Sequence, residues 1–215
     1  MADYTTLQEV KNQIPESGLK DSTDYDLLIG GLITACSRLI DREVGRHDGY
    51  FYATDSTVRT YDGNGNVRMW IDDAVSVTKL EVSEVGGLQT TDFTEWSSSD
   101  WFVFPYNDSP KRAIVIDRLN GAETFFPRYR ANIKVTGVFG YSATPPAQVR
   151  QACLIQVIRW FMRSKQAYAD SGASPEVGQM TINVGGRGVQ PQLDSDVRLL
   201  LAPFIFSNSI GIDDD

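Results

Sequence analysis

The sequence predicts an α+β protein: a helical core from the two chain ends, with an antiparallel β-rich insert between the long helices. Three observations predict it. In residues 24–44, Leu28, Leu32, Ala35, Cys36, Leu39 and Ile40 recur at three- and four-residue steps, which on a 3.6-residue period makes one apolar face. In residues 144–170, Val149, Ala152, Cys153, Val157, Trp160 and Phe161 do the same, so each face can cover the other. Between them the period falls to two, in short runs bounded by Gly, Pro, Asn or Asp, and no strand-helix-strand alternation occurs. On this pattern residues 1–46 and 144–206 form the helical core, 47–143 the β-rich insert, and 207–215 a mobile acidic tail.

The elements follow in order. Thr5 or Thr6 can cap a short helix, LQEVKNQI, that ends before Pro15 because a residue preceding proline is pushed out of helical geometry. Asp24 is placed to cap the first long helix, and Gly45 to end it with positive φ. Gly30 and Gly31 lie inside that helix, so either it bends there or another backbone comes close. YFYAT, TVRTY and VRMWI read as short strands from Tyr50 onward, the last two joined as a hairpin by residues 62–66, DGNGN. VSVTKLEVSEV over 75–85, then 101–104, 113–116 and 132–136, continue the alternation. Pro145 and Pro146 mark the start of the second long helix. Beyond it come a break at 172–176, a strand-like run at 180–184, the glycine-rich GGRG of 185–188, and a last helix, DVRLLLAPF, capped by Asp194 or Ser195 and stopped near Pro203.

With 215 residues and 41% hydrophobic content the chain can bury a core. A formal charge of −8 argues against a general nucleic-acid binder, whose affinity comes from clustered Lys and Arg. The apolar runs are too short to span a bilayer, and MADYTTLQEV lacks the layout of a signal peptide, so a reducing cytoplasm is expected and no membrane partner. Both cysteines, Cys36 and Cys153, fall on the apolar faces and are expected to be reduced packing residues.

Chemistry is sparse. The single histidine, His47, has no nucleophile motif beside it and reads as an exposed loop residue, so no catalytic residue is assigned. Asp62, Asn64 and Asn66 copy the first ligand positions of a calcium loop, but Val67 stands where that loop needs glycine and a strand follows where a helix should begin. A hairpin is the better reading, and no metal or cofactor is expected. Residues 185–188 lack the Gly-Lys-Ser/Thr ending of a phosphate cradle and suit a binding or assembly arm. Trp96, Trp101, Phe102, Phe104 and Tyr106 are read as core filling, and Arg128, Tyr129 and Arg130 as too small a cluster to indicate nucleic acid.

Several stretches together resemble one family. Ala35 with IDREVGR (40–46), then YDGNG (61–65), VTGVFGY (135–141) with Pro145 and Pro146, and DVRLLLAP (196–203) occur in the order seen in tailed-phage head-tail connector (adaptor) proteins, and the opening YTTLQEV (4–10) is similar too. The resemblance covers the two helices, the first hairpin, the last strand and the C-terminal helix. It implies a non-enzymatic structural role in the virion neck, after assembly in the host cytoplasm. The expected assembly is a ring, commonly of twelve copies, under the portal protein, meeting a neck or tail completion protein and passing double-stranded DNA without sequence-specific binding. The segment tethered by glycines is then expected to dock on the portal through Met180, Ile182, Val184, Arg187, Val189, Leu193, Leu200, Phe204 and Phe206. On amphipathic pattern alone, Val197, Leu200, Leu201 and Phe204 would instead cover the end of the helical core. The rival function is a binding module whose β insert recognises a glycan or a protein.

Overall fold

A computed structural model describes residues 3–14, 19–87, 92–169 and 193–205. Contacts divide the chain into two compact units, Met1–Gly49 with Pro145–Asp215, and Tyr50–Thr144.

The first unit is helical. Helix α1 (Leu7–Gln13) starts on a reciprocal cap: the Thr6 hydroxyl accepts from Glu9 N at 3.3 Å and the Glu9 carboxylate accepts from Thr6 N at 3.0 Å, so Thr6 rather than Thr5 is the cap. Helix α2 (Asp26–Val44) begins one residue later than the sequence suggests. Its N-cap is Tyr25, without a side-chain cap bond, and Asp24 instead accepts the Ser22 hydroxyl at 2.9 Å. Gly45 closes α2 at φ 74°, as its position predicts. Among the described residues no atom comes within 4 Å of a Cβ placed on Gly30 or Gly31, so no other described backbone approaches them.

Helix α3 (Ala147–Ala169) packs on α1 and α2. The buried face of α2 is Ile29, Ile33, Cys36, Ile40 and Val44, rotated from the expected stripe: Leu28, Leu32 and Leu39 are only half-buried and Ala35 is exposed. Both sets have helical spacing, and the isoleucine set wins because a polar network pins that side inward. Tyr4 N donates to Ser37 Oγ at 3.1 Å, Ser37 Oγ donates to Ile33 O at 2.9 Å, and the Tyr4 hydroxyl donates to the fully buried Asp41. Asp41 also accepts from Gly49 N at 2.9 Å and pairs with Arg38 at 3.3 Å; burial pushes its carboxyl up in spite of these partners. On α3 the expected Val149, Ala152, Cys153, Val157 and Phe161 are buried, and Trp160 is half-buried.

The second unit is an antiparallel sheet. It holds β1 (Ser56–Tyr61), β2 (Arg68–Val82), β3 (Thr94–Glu95), β4 (Trp101–Phe104), β5 (Lys111–Ile116) and β6 (Ile133–Phe139), in the order β1-β6-β2-β5-β4 with β3 on β2. Residues 62–66 therefore do not turn a hairpin, because β6 lies between β1 and β2. Residues 50–54 are not a strand, and the two runs expected at VRMWI and 75–85 are one 15-residue strand. Irregular pairing between Trp70 and Lys79 lets β2 serve β5 with its first half and β6 with its second.

Asn132 explains how the 62–66 loop can leave β2 free for β6. Fully buried, it accepts Gly63 N on Oδ1 at 2.8 Å and donates from Nδ2 to Ser83 O at 3.1 Å and Pro127 O at 3.0 Å. Gly63 is needed because a Cβ there would lie 1.8 Å from Pro127 O. Met69, Leu80, Ile114, Phe126, Ile133 and Val135 centre the core on one side of the sheet.

Candidate docking site

The sequence points to the C-terminal segment. Met180, Ile182, Val184, Arg187, Val189 and Phe206 lie outside the described residues, as do the break at 172–176, the glycine-rich 185–188 and the tail 207–215. Leu193 is buried, and Leu200 and Phe204 are half-buried.

These last three belong to helix α4 (Ser195–Leu201) and its surroundings, Phe204 ending the 3-10 turn Ala202–Phe204 that follows it. Seven residues are too few for a helix stable by itself in water, so α4 depends on what it packs against. Val197 and Leu201 are fully buried on the α3 side, and burial of two such side chains contributes about 1.5–3 kcal/mol each. Asp194 is the N-cap, but its side chain caps nothing: it accepts from Arg159 and Arg163 at 3.0 Å each, while its own N–H donates to the buried Gln156 Oε1 at 3.0 Å. Arg159 also binds Asp196, and Arg198 Nε lies 2.8 Å from Glu43 of α2. Burial opposes the charge on Asp194, but the two arginines overcome it and hold the carboxyl below the usual range.

The opposite side of α4 exposes Leu199 alongside Ser195 and Asp196, and the turn after it exposes Ile205. Leu199 is 75% exposed and Ile205 47%, with Leu200 and Phe204 between. The helix therefore covers the helical unit with Val197 and Leu201 and offers a second apolar ridge outward. Leu199 and Ile205 are its most exposed members; Leu199 stands two positions from Val197, off the buried Val197-Leu201 face, and that offset is the signal that would have found it.

The other candidates have the following surroundings. His47 is exposed and its Nδ1 lies 3.2 Å from Asp48 O. Cys36 and Cys153 are fully buried free thiols, with Cys36 Sγ 3.7 Å from Cys153 O. Asp62 accepts Ala131 N at 2.7 Å, and Asn64 holds Arg68 O at 2.8 Å and Asn66 N at 2.9 Å, so these side chains shape the loop. Among the described residues no three His, Cys, Asp or Glu side chains converge to hold a metal ion, and no helix is long and apolar enough to cross a membrane. The aromatic reading needs correction. Trp96 is buried against Phe126 at 5.5 Å and Trp101 faces the core, but Phe102, Phe104 and Tyr106 line the other side of the sheet, with Tyr106 61% exposed.

The fold thus defined is an α+β chain with an antiparallel six-stranded sheet. No family model matches the sequence, and no curated protein does. Solved structures do. A chain in the neck of an empty gene transfer agent (GTA) particle computed with C6 symmetry is similar at a TM-score of 0.52 and 13% identity, over 91% of this chain and 86% of that one. A chain of the virion of a native GTA particle is similar at 0.52 and 11% identity, over 95% and 89%. A chain in the neck of a native GTA particle computed with C12 symmetry is similar at 0.50 and 11%, over 86% and 85%. Likeness at such identities is likeness of fold.

Proposed function

We propose that this chain is a structural, non-enzymatic neck component of a phage-like virion: a head-tail connector whose ring extends the DNA channel under the portal protein and joins head to neck or tail proteins. The observation that carries this reading is the fold likeness to GTA neck chains along most of the chain's length. Those necks were computed with C6 and C12 symmetry, and a twelve-membered ring satisfies both. In this reading residues 1–46 and 144–206 are the adaptor core and 47–143 the insert between its long helices. The net charge of −8 suits a channel that lets DNA slide without gripping it.

The same reading makes residues 180–206 the portal-binding segment. Leu193 seats the segment on the helical unit, and Leu200 and Phe204, flanked by the exposed Leu199 and Ile205, present the apolar ridge. A chain truncated at Gly172 is expected to lose portal binding in a pull-down; binding that survives intact overturns the docking role. Imaging the particle neck with this chain labelled tests the location, and label found in capsid shell or tail fibre overturns it.

A further inference from the structure

Two surfaces of the sheet unit remain without a role. One is the outer face of β2, β5 and β4, where register puts Arg68, Val115 and Phe102 in one row and Trp70, Ala113 and Phe104 in the next. Tyr106 folds back onto it, its ring 5.0 Å from Phe102 and 6.0 Å from Phe104. Trp70 is 62% exposed. The Arg68 guanidinium lies 5.7 Å from the Trp70 ring centre and 4.8 Å from that of Phe104, and no carboxylate among the described residues pairs with it. Trp, Tyr and Arg are the side chains that dominate protein interfaces, and here they are held together, partly ordered before any partner arrives.

The second surface is a groove of about 560 Å³ lined by Glu84, Glu123, Phe125, Tyr129 and Arg128. Phe125 and Tyr129 are about half exposed. Glu123 is partly desolvated, and the charges acting on it, those of Asp100 and Glu84, are both negative, which pushes its carboxyl up. Phe126, next to Phe125 in the chain, packs in the core with Met69 and Ile114. The loop that carries the groove therefore covers the inner side of the sheet, and the Arg68 patch lies on the outer side.

We propose that these surfaces are the two halves of one contact between copies of this chain: the Arg68-Trp70-Tyr106 patch of one copy seats in the Glu84-Glu123-Phe125-Tyr129 groove of the next. Arg68 brings a second cation, beside the groove's own Arg128, to the Glu84 and Glu123 carboxylates, and aromatic rings meet aromatic rings around it. Because patch and groove lie on opposite sides of the sheet, the contact is heterologous and repeats from copy to copy, as a ring requires. The inference rests on the neck reading for its biological setting, but the surfaces are tested separately.

Sedimentation of the full-length chain over a concentration series measures self-association. Arg68→Glu and Glu123→Arg are each expected to weaken it on the order of thirtyfold or more, as loss of an interface hot spot does, and Trp70→Ala to do likewise without a change of charge. Mixing Arg68→Glu with Glu123→Arg in equal amounts is expected to restore assembly: each reversed patch meets a reversed groove, and the other pairing is wild-type. Arg68 and Trp70 are exposed and Glu123 is half-buried, and unchanged circular dichroism and melting temperature verify folding. If the wild type assembles and the variants assemble equally well, or mixing restores nothing, this contact is wrong while the neck reading stands. A wild-type chain that stays monomeric at millimolar concentration also overturns the contact, and the neck reading is then judged on particle images alone.

Discussion

The Arg159 guanidinium grips the Asp196 carboxylate through two parallel hydrogen bonds, Nη1 to Oδ1 at 2.7 Å and Nη2 to Oδ2 at 2.6 Å, and its Nη1 also reaches Asp194 at 3.0 Å. One side chain of α3 thus holds both the cap and the first turn of α4. The geometry is the fork-to-fork pairing that arginine makes and lysine does not.

This pairing makes the seating of α4 sensitive to acid. The bonds from Arg159 lower Asp196 from an ordinary 3.8 to about 2. A carboxyl whose pKa falls on folding contributes stability that is complete above the ordinary range and is lost as pH falls toward the folded value. Hydrogen-exchange protection of the α4 amides is therefore expected to drop between about pH 4 and pH 2. Arg159→Gln should lower protection at pH 5 and flatten that acid-dependent drop; the same drop in the variant would show that the pair is not its cause.

The two faces of α4 should respond differently to truncation. Leu201→Ala removes a fully buried side chain and is expected to cost about 2–5 kcal/mol, whereas Leu199→Ala, at a residue 75% exposed, should stay within about 0.5 kcal/mol. Urea unfolding of the two variants measures both. Equal losses would mean that α4 is seated the other way round.

Asn132 is expected to be the most sensitive polar position of the sheet unit. Asn132→Ala leaves Ser83 O and Pro127 O without their side-chain donor, at about 1–3 kcal/mol for each group left buried and unpaired, while Gly63 N keeps its bond to Tyr129 O. Gly63→Ala should destabilise as well, because its Cβ would meet Pro127 O. Thermal unfolding tests both, and a melting temperature unchanged in either variant refutes the role given to that residue in holding the 62–66 loop.

The thiols should be inert in the native protein. Hydrogen bonding with Cys153 and burial both push the Cys36 thiol up, and neither cysteine is exposed. A thiol reagent at pH 8 is expected to label the chain only at the rate of unfolding. Rapid labelling of either cysteine without denaturant would place it at the surface.

Caps, breakers and periods were readable from the chain alone wherever the forces act over a few residues. A first cap at Thr5 or Thr6, Gly45, the spans of α2 and α3 and the strands near 101–104, 113–116 and 132–136 follow from such short-range chemistry, while the choice of Thr6 came from the structure. Which leucine or isoleucine set of α2 turns inward was not readable, since both fit one helical period and the choice comes from Tyr4 and Asp41, separated by 37 positions. Nor was the pairing of β1 with β6, because a DGNG loop suits a hairpin locally and is tied down by distant groups: Asn132, 69 positions from Gly63, together with the backbone of Phe126, Tyr129 and Ala131. The outward ridge of α4 and the aromatic face around Arg68 belong to the same class. An apolar side chain looks identical in sequence whether it is buried or exposed, and only the packing of distant strands and helices around it assigns the side it takes.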